Sequence, residues 1–202
     1  MTQTTLQQAN EILRGFISNF HLLSEQEIQL IIDNAKLKQY KKGEFLLKEG
    51  QVSQNCFFVL EGVIREFHLQ DGEEKTTAFY LEQESVNAFS SALDQTPAQQ
   101  NLIAAEDTWV TVGSQSLELA MCQQIPRLEH IIRKEVEKNT GILQRDFAKF
   151  IASSPAQRYQ NLLDSKPQLF QRVPQHQIAS YLGITPESLS RLRKRLLTQE
   201  EK

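Results

Sequence analysis

Pro174-Gln175-His176-Gln177-Ile178-Ala179-Ser180-Tyr181-Leu182-Gly183-Ile184-Thr185-Pro186-Glu187-Ser188-Leu189-Ser190-Arg191-Leu192-Arg193-Lys194-Arg195-Leu196 decides how this chain is read. Ile178, Ala179 and Leu182 fall on one face of a short helix, and Gly183 closes it as the residue best able to take a positive φ. Thr185 stands at the next N-cap, with Pro186 at the first helical position, where its missing N–H costs nothing. Leu189, Leu192 and Leu196 then recur at i, i+3, i+7 and give the second helix an apolar stripe. Its other face carries Glu187, Ser188, Arg191, Lys194 and Arg195, residue types that reach base edges and phosphates. The spacing predicts a helix-turn-helix whose second helix reads DNA. The bland alternative is a helical hairpin with a solvated basic face; the small residue at 179, the turn glycine, the cap and the clustered cations together favour DNA.

The net charge of −3 over 202 residues looks wrong for such a role until the chain is divided. From Pro155 onward eight Lys and Arg face four acids, giving +4, so the preceding residues carry −7. An acidic body with a basic end focuses attraction for phosphate at that end. At 40% hydrophobic residues the chain is long enough to bury a substantial core. Its two cysteines, Cys56 and Cys122, cannot build a disulfide framework and have no metal-ligand spacing; within Cys-Phe-Phe-Val-Leu, Cys56 reads as a buried core thiol. No run approaches the roughly 20 apolar residues of a membrane span, and no secretory leader heads the chain, which fits a reducing cytoplasm and no membrane partner.

Three regions precede the basic end. The chain to about Asn34 reads as helical, with Ser24 and Glu27 forming a capping box before Ile28, Ile31 and Ile32. From Ala35 to about Val112 short β runs alternate with turns, and Asp71-Gly72 is a hairpin signal. Residues 57–60, 63–67, 76–80 and 107–112 are the clearest strands, a pattern that suggests a small antiparallel roll or barrel. A long helix then runs from about Pro126 to Ile151, its seam Ile125, Leu128, Ile132, Val136, Asn139, Leu143, Phe147, Phe150 advancing by 3-4-4-3-4-4-3. That period is nearer eleven residues than seven and predicts a nearly straight helix. Ile131, Ile142 and Ile151 widen its apolar surface beyond what one domain face needs. Pairing with a second copy explains the excess, with Asn139 setting register; the alternative packs the helix wholly on its own roll. Ser153-Ser154-Pro155 marks a hinge, Ser154 capping a new helix through Leu163. The expected organisation is residues 1–125, a sensor roll with leading helices; 126–153, the pairing helix; and 154–202, the DNA-binding unit.

This order of parts resembles the cyclic-AMP receptor protein and fumarate-nitrate regulator superfamily. The resemblance spans nearly the whole chain, rests most firmly on Ile178 to Arg191, and is supported more weakly by Phe57-Phe58-Val59-Leu60-Glu61-Gly62 in the roll. Gln157-Arg158-Tyr159 through Leu162-Leu163 looks like the branch common in Bacteroidetes. It implies an α+β fold: a double-stranded β-helix, or jelly roll, of cyclic-nucleotide-binding type, a long dimerisation helix and a C-terminal winged-helix-like unit. With only a few residues after the second helix, a reduced or absent wing is expected. The implied function is transcription regulation by a homodimer on a palindromic double-stranded site, with RNA polymerase as a further partner. The rival is a small-molecule sensor or protein-interaction module with a degenerate DNA-binding unit.

The text departs from the family in two chemical respects. Cyclic-nucleotide-binding members carry Gly-Glu and Arg-Ser against the ribose and cyclic phosphate. Here the equivalent stretch runs Glu84 to Ser91 and then Pro97 to Asn101, and no arginine lies between Arg65 and Arg127. A buried phosphate without a guanidinium partner is poorly compensated, so cyclic AMP is not the expected effector. Asn87, Ser90, Ser91, Gln99 and Gln100 are the candidates to line a pocket for another ligand, an empty pocket being the equal alternative. The cysteines that hold an iron–sulfur cluster in oxygen-sensing members are also missing. His21, His68, His130 and His176 are the only candidate haem ligands, isolated histidines of a kind usually structural. No cofactor is expected, and no metal. Only His68 lies in the roll, and no phosphate loop, serine elbow or reactive-cysteine context appears, so no enzyme is expected either.

Carried onto the motif, Glu187 and Arg191 are the base readers, arginine to guanine O6 and N7 and glutamate to cytosine N4. Pro186 stands where the family often has arginine, which alters the half-site. Gln175, Thr185, Ser188, Ser190 and Lys194 are phosphate or flanking contacts, and Arg195, like Arg193, contacts phosphate or is solvated. The pairing helix presents Leu128, Ile132, Val136, Asn139, Leu143 and Phe147.

Overall fold

The computed structural model describes the backbone of residues 5–200 and side chains through 195. Two capped helices lead. Helix α1 (Leu6–Ser18) is capped by Thr5 and α2 (Glu25–Asn34) by Ser24, each through a reciprocal box with Gln8 and Glu27. Eight strands follow: β1 (Lys36–Tyr40), β2 (Phe45–Leu47), β3 (Cys56–Glu61), β4 (Ile64–Gln70), β5 (Glu73–Tyr80), β6 (Ser85–Val86), β7 (Asn101–Ala104) and β8 (Thr108–Gly113). They form two four-stranded sheets in the orders β1-β8-β3-β6 and β2-β7-β4-β5, every pairing antiparallel. The expected hairpin is there: Asp71 and Gly72, both at positive φ, turn β4 into β5.

Alternation along the strands sorts side chains into layers. Phe57, Val59, Ile64, Leu102 and Val110 fill the space between the sheets. Phe58, Leu60 and Trp109 face the other way and pack with Ala9, Leu13, Ile17 and Ile28 of the leading helices. Cys56 is only half-buried rather than a core thiol, and burial pushes its thiol pKa up. No helix among the described residues is long and apolar enough to cross a membrane.

Short helix α3 (Phe89–Asp94) precedes β7. Beyond the roll come α4 (Gln115–Gln124), capped by Ser114, and α5 (Pro126–Ala152). Ile125 and Ile131 are buried, whereas Val136, Leu143, Phe147 and Ile151 are exposed. Helix α5 therefore does not pack wholly on its own roll. Ser153 and Ser154 are extended and break the helix; Ser154 and Gln157 then cap α6 (Pro155–Ser165). Helices α7 (Leu169–Arg172), α8 (Gln175–Leu182) and α9 (Pro186–Glu200) complete the described chain. These C-terminal helices share one buried cluster with the roll: Val63, Phe79, Leu81 and Ala105 join Tyr159, Leu162, Leu169, Val173, Ile178 and Leu182.

Candidate nucleic-acid interface

The α8–α9 pair is built by local rules. Ile178, Ala179, Leu182, Leu189 and Leu192 are all buried, so the two apolar stripes face each other and the α6–α7 floor; Leu196, the third member of the α9 stripe, lies outside the described side chains. Gly183 takes φ 70° and ψ 33°. Its N–H donates to the Ser180 carbonyl at 3.1 Å and the Ile184 N–H to the Ala179 carbonyl at 3.0 Å, the paired closure that a left-handed residue permits. Thr185 Oγ1 accepts from the Ser188 N–H at 3.2 Å and donates to Ser188 Oγ, starting α9.

The face opposite the buried stripe is open. Glu187, Ser190, Arg191, Lys194 and Arg195 are exposed. Arg191 Nε donates to the backbone carbonyl of Glu187 at 3.4 Å, a contact to the backbone rather than to that residue's carboxylate. Glu187's own backbone amide and the Thr185 hydroxyl hold the Glu187 carboxyl below its usual pKa, with Arg191 adding to the effect. The two base-reading candidates, Glu187 and Arg191, stand a single helical turn apart. Two other candidates are engaged internally: Gln175 Oε1 accepts from Arg193 Nη1 at 2.9 Å, bracing α9 on the start of α8, and the Thr185 hydroxyl serves the cap.

The five pocket candidates are not brought together in this way. Ser91 is 1% exposed; its hydroxyl donates to the Thr96 carbonyl at 2.6 Å and accepts from the Ser53 N–H at 2.9 Å, so it ties two loops instead of facing a pocket. Ser90 and Gln99 are exposed, Asn87 and Gln100 half-buried. Two clefts of about 440 and 340 Å³ lie elsewhere, one lined by Leu6, Asn10, Arg14 and Ile32, the other by Lys36, Asn55, Ser114 and Leu117. Arg65 is buried, but its guanidinium bonds Thr76 Oγ1 and pairs with Glu74. Among the described residues no group of three His, Cys, Asp or Glu could hold a metal ion.

Residues 37–124 match the family described as the cyclic nucleotide-binding domain. The cyclic AMP receptor protein of Thermus thermophilus is 23% identical over 178 residues, covering 86% of this chain and 82% of that protein. The transcriptional activator Anr of Pseudomonas protegens is 25% identical over 79% of this chain and 70% of its own. Over most of its length the chain is similar to the cyclic AMP receptor protein and to the Anr activators. The fold is shared with a solved structure: FixK2 of Bradyrhizobium japonicum superposes with a TM-score of 0.66 at 20% identity, covering 82% of this chain and 86% of that one. Of these relatives, the Anr proteins are named as transcriptional activators and the Thermus protein as a cyclic AMP receptor.

What residue patterns missed in this fold is the seam between roll and C-terminal helices. Arg172 donates from Nη1 to Glu82 Oε2 at 3.0 Å and from Nε to Glu106 Oε1 at 3.0 Å. Lys166 Nζ reaches both Glu84 Oε2 and the Phe79 carbonyl at 2.8 Å. These two cations face carboxylates of the roll, which corrects the simple charge tally: part of the +4 is spent inside the molecule. No local spacing signals such pairs, because their partners lie 66 to 90 positions away.

Proposed function

We propose that this chain is a homodimeric, sequence-specific DNA-binding transcription regulator that does not respond to cyclic AMP. The observation that carries the DNA reading is the geometry of α9. Its leucines are sunk against α8 while Glu187, Arg191 and Lys194 stand outward on a capped helix. Glu187 and Arg191 read base edges; Ser188, Ser190, Lys194 and Arg195 serve the phosphates, with Gln175 and Thr185 acting through the scaffold. The relatives' names, an activator and a receptor protein, favour transcription as the context, with RNA polymerase as a partner.

Homodimerisation is favoured by α5, where Leu143 and Phe147 remain 69% and 64% exposed on the predicted seam with Leu128, Ile132, Val136 and Asn139. Domains divide accordingly at 125/126 and 153/154. The cyclic AMP exclusion rests on charge: between Arg65 and Arg127 the sole cation is Lys75, and it pairs with Glu73. Selection of bound sequences from random duplex DNA tests the reading. An enriched palindrome with half-sites about one helical turn apart supports it. A folded dimer that enriches nothing, with or without cell metabolites, overturns it in favour of a protein-interaction module.

A further inference from the structure

The join between α5 and α6 is two extended residues, Ser153 and Ser154. A single backbone link leaves several soft dihedrals, so it cannot by itself fix where α9 stands. The apolar cluster between roll and C-terminal helices binds them without choosing a direction, because hydrophobic contact tolerates sliding. The polar contacts do choose one. Arg172 is a fork held by two carboxylates of the roll, Glu82 and Glu106. Lys166 bridges Glu84 and the Phe79 carbonyl. Ser180, on α8 itself, accepts from the Thr76 N–H at 2.9 Å and donates to the Glu74 carbonyl at 3.1 Å, joining the first helix of the DNA-reading pair to strand β5.

From these contacts we propose that Arg172, with Lys166 and Ser180, latches the α6–α9 unit on the outer face of the roll and thereby sets the position of α9 for DNA. The inference rests on the DNA-binding reading. In the latched arrangement the reading face of α9 is uncovered, so the latch holds a binding-competent state rather than a closed one. Two helices reading half-sites one turn apart need a fixed separation, and an unlatched unit occupies the productive orientation only part of the time. Apparent affinity falls by that fraction. Losing Arg172 also leaves Glu82 and Glu106 without their cation beside Glu61, whose Oε2 is already buried without a hydrogen-bond partner, so opening the seam to water, which solvates these carboxylates, is favoured over staying docked.

The test compares the full chain with Arg172→Met and the conservative Arg172→Lys in two measurements. Hydrogen exchange reads docking directly: the Met variant is expected to speed exchange in residues 73–80 and 166–182 while α1, α2 and β3 stay unchanged, and Lys to restore part of the protection. Affinity for a duplex carrying the selected palindrome should fall about tenfold in the Met variant, with affinity for a single half-site unchanged, since only the palindrome demands fixed separation. Unchanged exchange overturns the latch. Faster exchange with an unchanged or tighter palindrome-to-half-site ratio overturns its role in positioning. Failure of the native chain to select any DNA sinks the DNA reading instead, and the exchange result still decides whether the latch exists.

Discussion

Arg158 Nη1 lies 3.3 Å from the carbonyl oxygen of Leu182, 24 positions along the chain, while its Nε donates to the Phe150 carbonyl at 3.0 Å. One side chain of α6 therefore serves the last turns of both α5 and α8, whose final carbonyls have no partner within their own helices. The guanidinium also stacks 4.0 Å from the Phe150 ring, and Tyr181 packs 6.1 Å from the same ring. The break at Ser153–Ser154 is braced from below.

Removing that brace should be costly. Arg158→Met keeps most of the apolar stem and deletes the charge-assisted bonds, and a loss of about 1.5–3 kcal/mol is expected. Urea unfolding of the full chain measures it; an unchanged midpoint would show the two carbonyls to be equally well served by water.

The acidic seam gives opposite pH signatures at two neighbouring carboxyls. Burial, with Glu82 and Glu106 adding, raises the Glu61 pKa above its ordinary 4.5. The fold then binds more protons than the unfolded chain, so this group weakens the protein as pH rises through that window. Glu61→Gln should raise Tm at pH 7 and leave it nearly unchanged well below pH 4.5. For Glu82, burial is the largest influence and acts upward, but bonds from Arg172 and the Gly62 N–H outweigh it and hold the pKa down. Its contribution is present above 4.5 and is lost as pH falls through the lowered folded value, so Glu82→Gln should lower Tm at pH 7. Melting curves at both pH values decide each sign.

The exposed seam of α5 predicts its own disruption. Replacing Leu143 and Phe147 together by Asp should convert a dimer to a monomer in sedimentation, with the melting of the roll little altered because neither side chain is buried in the protomer. A double variant that still sediments as a dimer would place the interface elsewhere.

On DNA, Arg191→Ala should cost about 1–3 kcal/mol on the selected site and relax the preference at one base position. Lys194→Ala should weaken all sequences alike and reduce the salt slope by roughly one. Equal loss on selected and random duplexes for Arg191→Ala removes it from base reading.

Much of this was legible in the residues. The Ser24 box, the Ser154 cap, the Asp71-Gly72 hairpin, the Gly183 turn and the Thr185 cap are local signals, each decided by a few adjacent dihedrals and hydrogen bonds, and each stands where the spacing puts it. Periodicity likewise marked α5 and the α9 stripe. The role of Ser91 was not legible, because it looks the same in sequence whether its hydroxyl faces a ligand or, as here, ties Ser53 to Thr96. Only the tertiary structure decided the seam. Arg172, Lys166 and Ser180 carry no pattern of their own, and the carboxylates and strand that receive them lie 66 to 106 residues earlier. A local code fixes helices and turns because their bonds span a few residues; which surfaces then meet depends on burial and charge pairing summed over the whole chain, and no short stretch contains that.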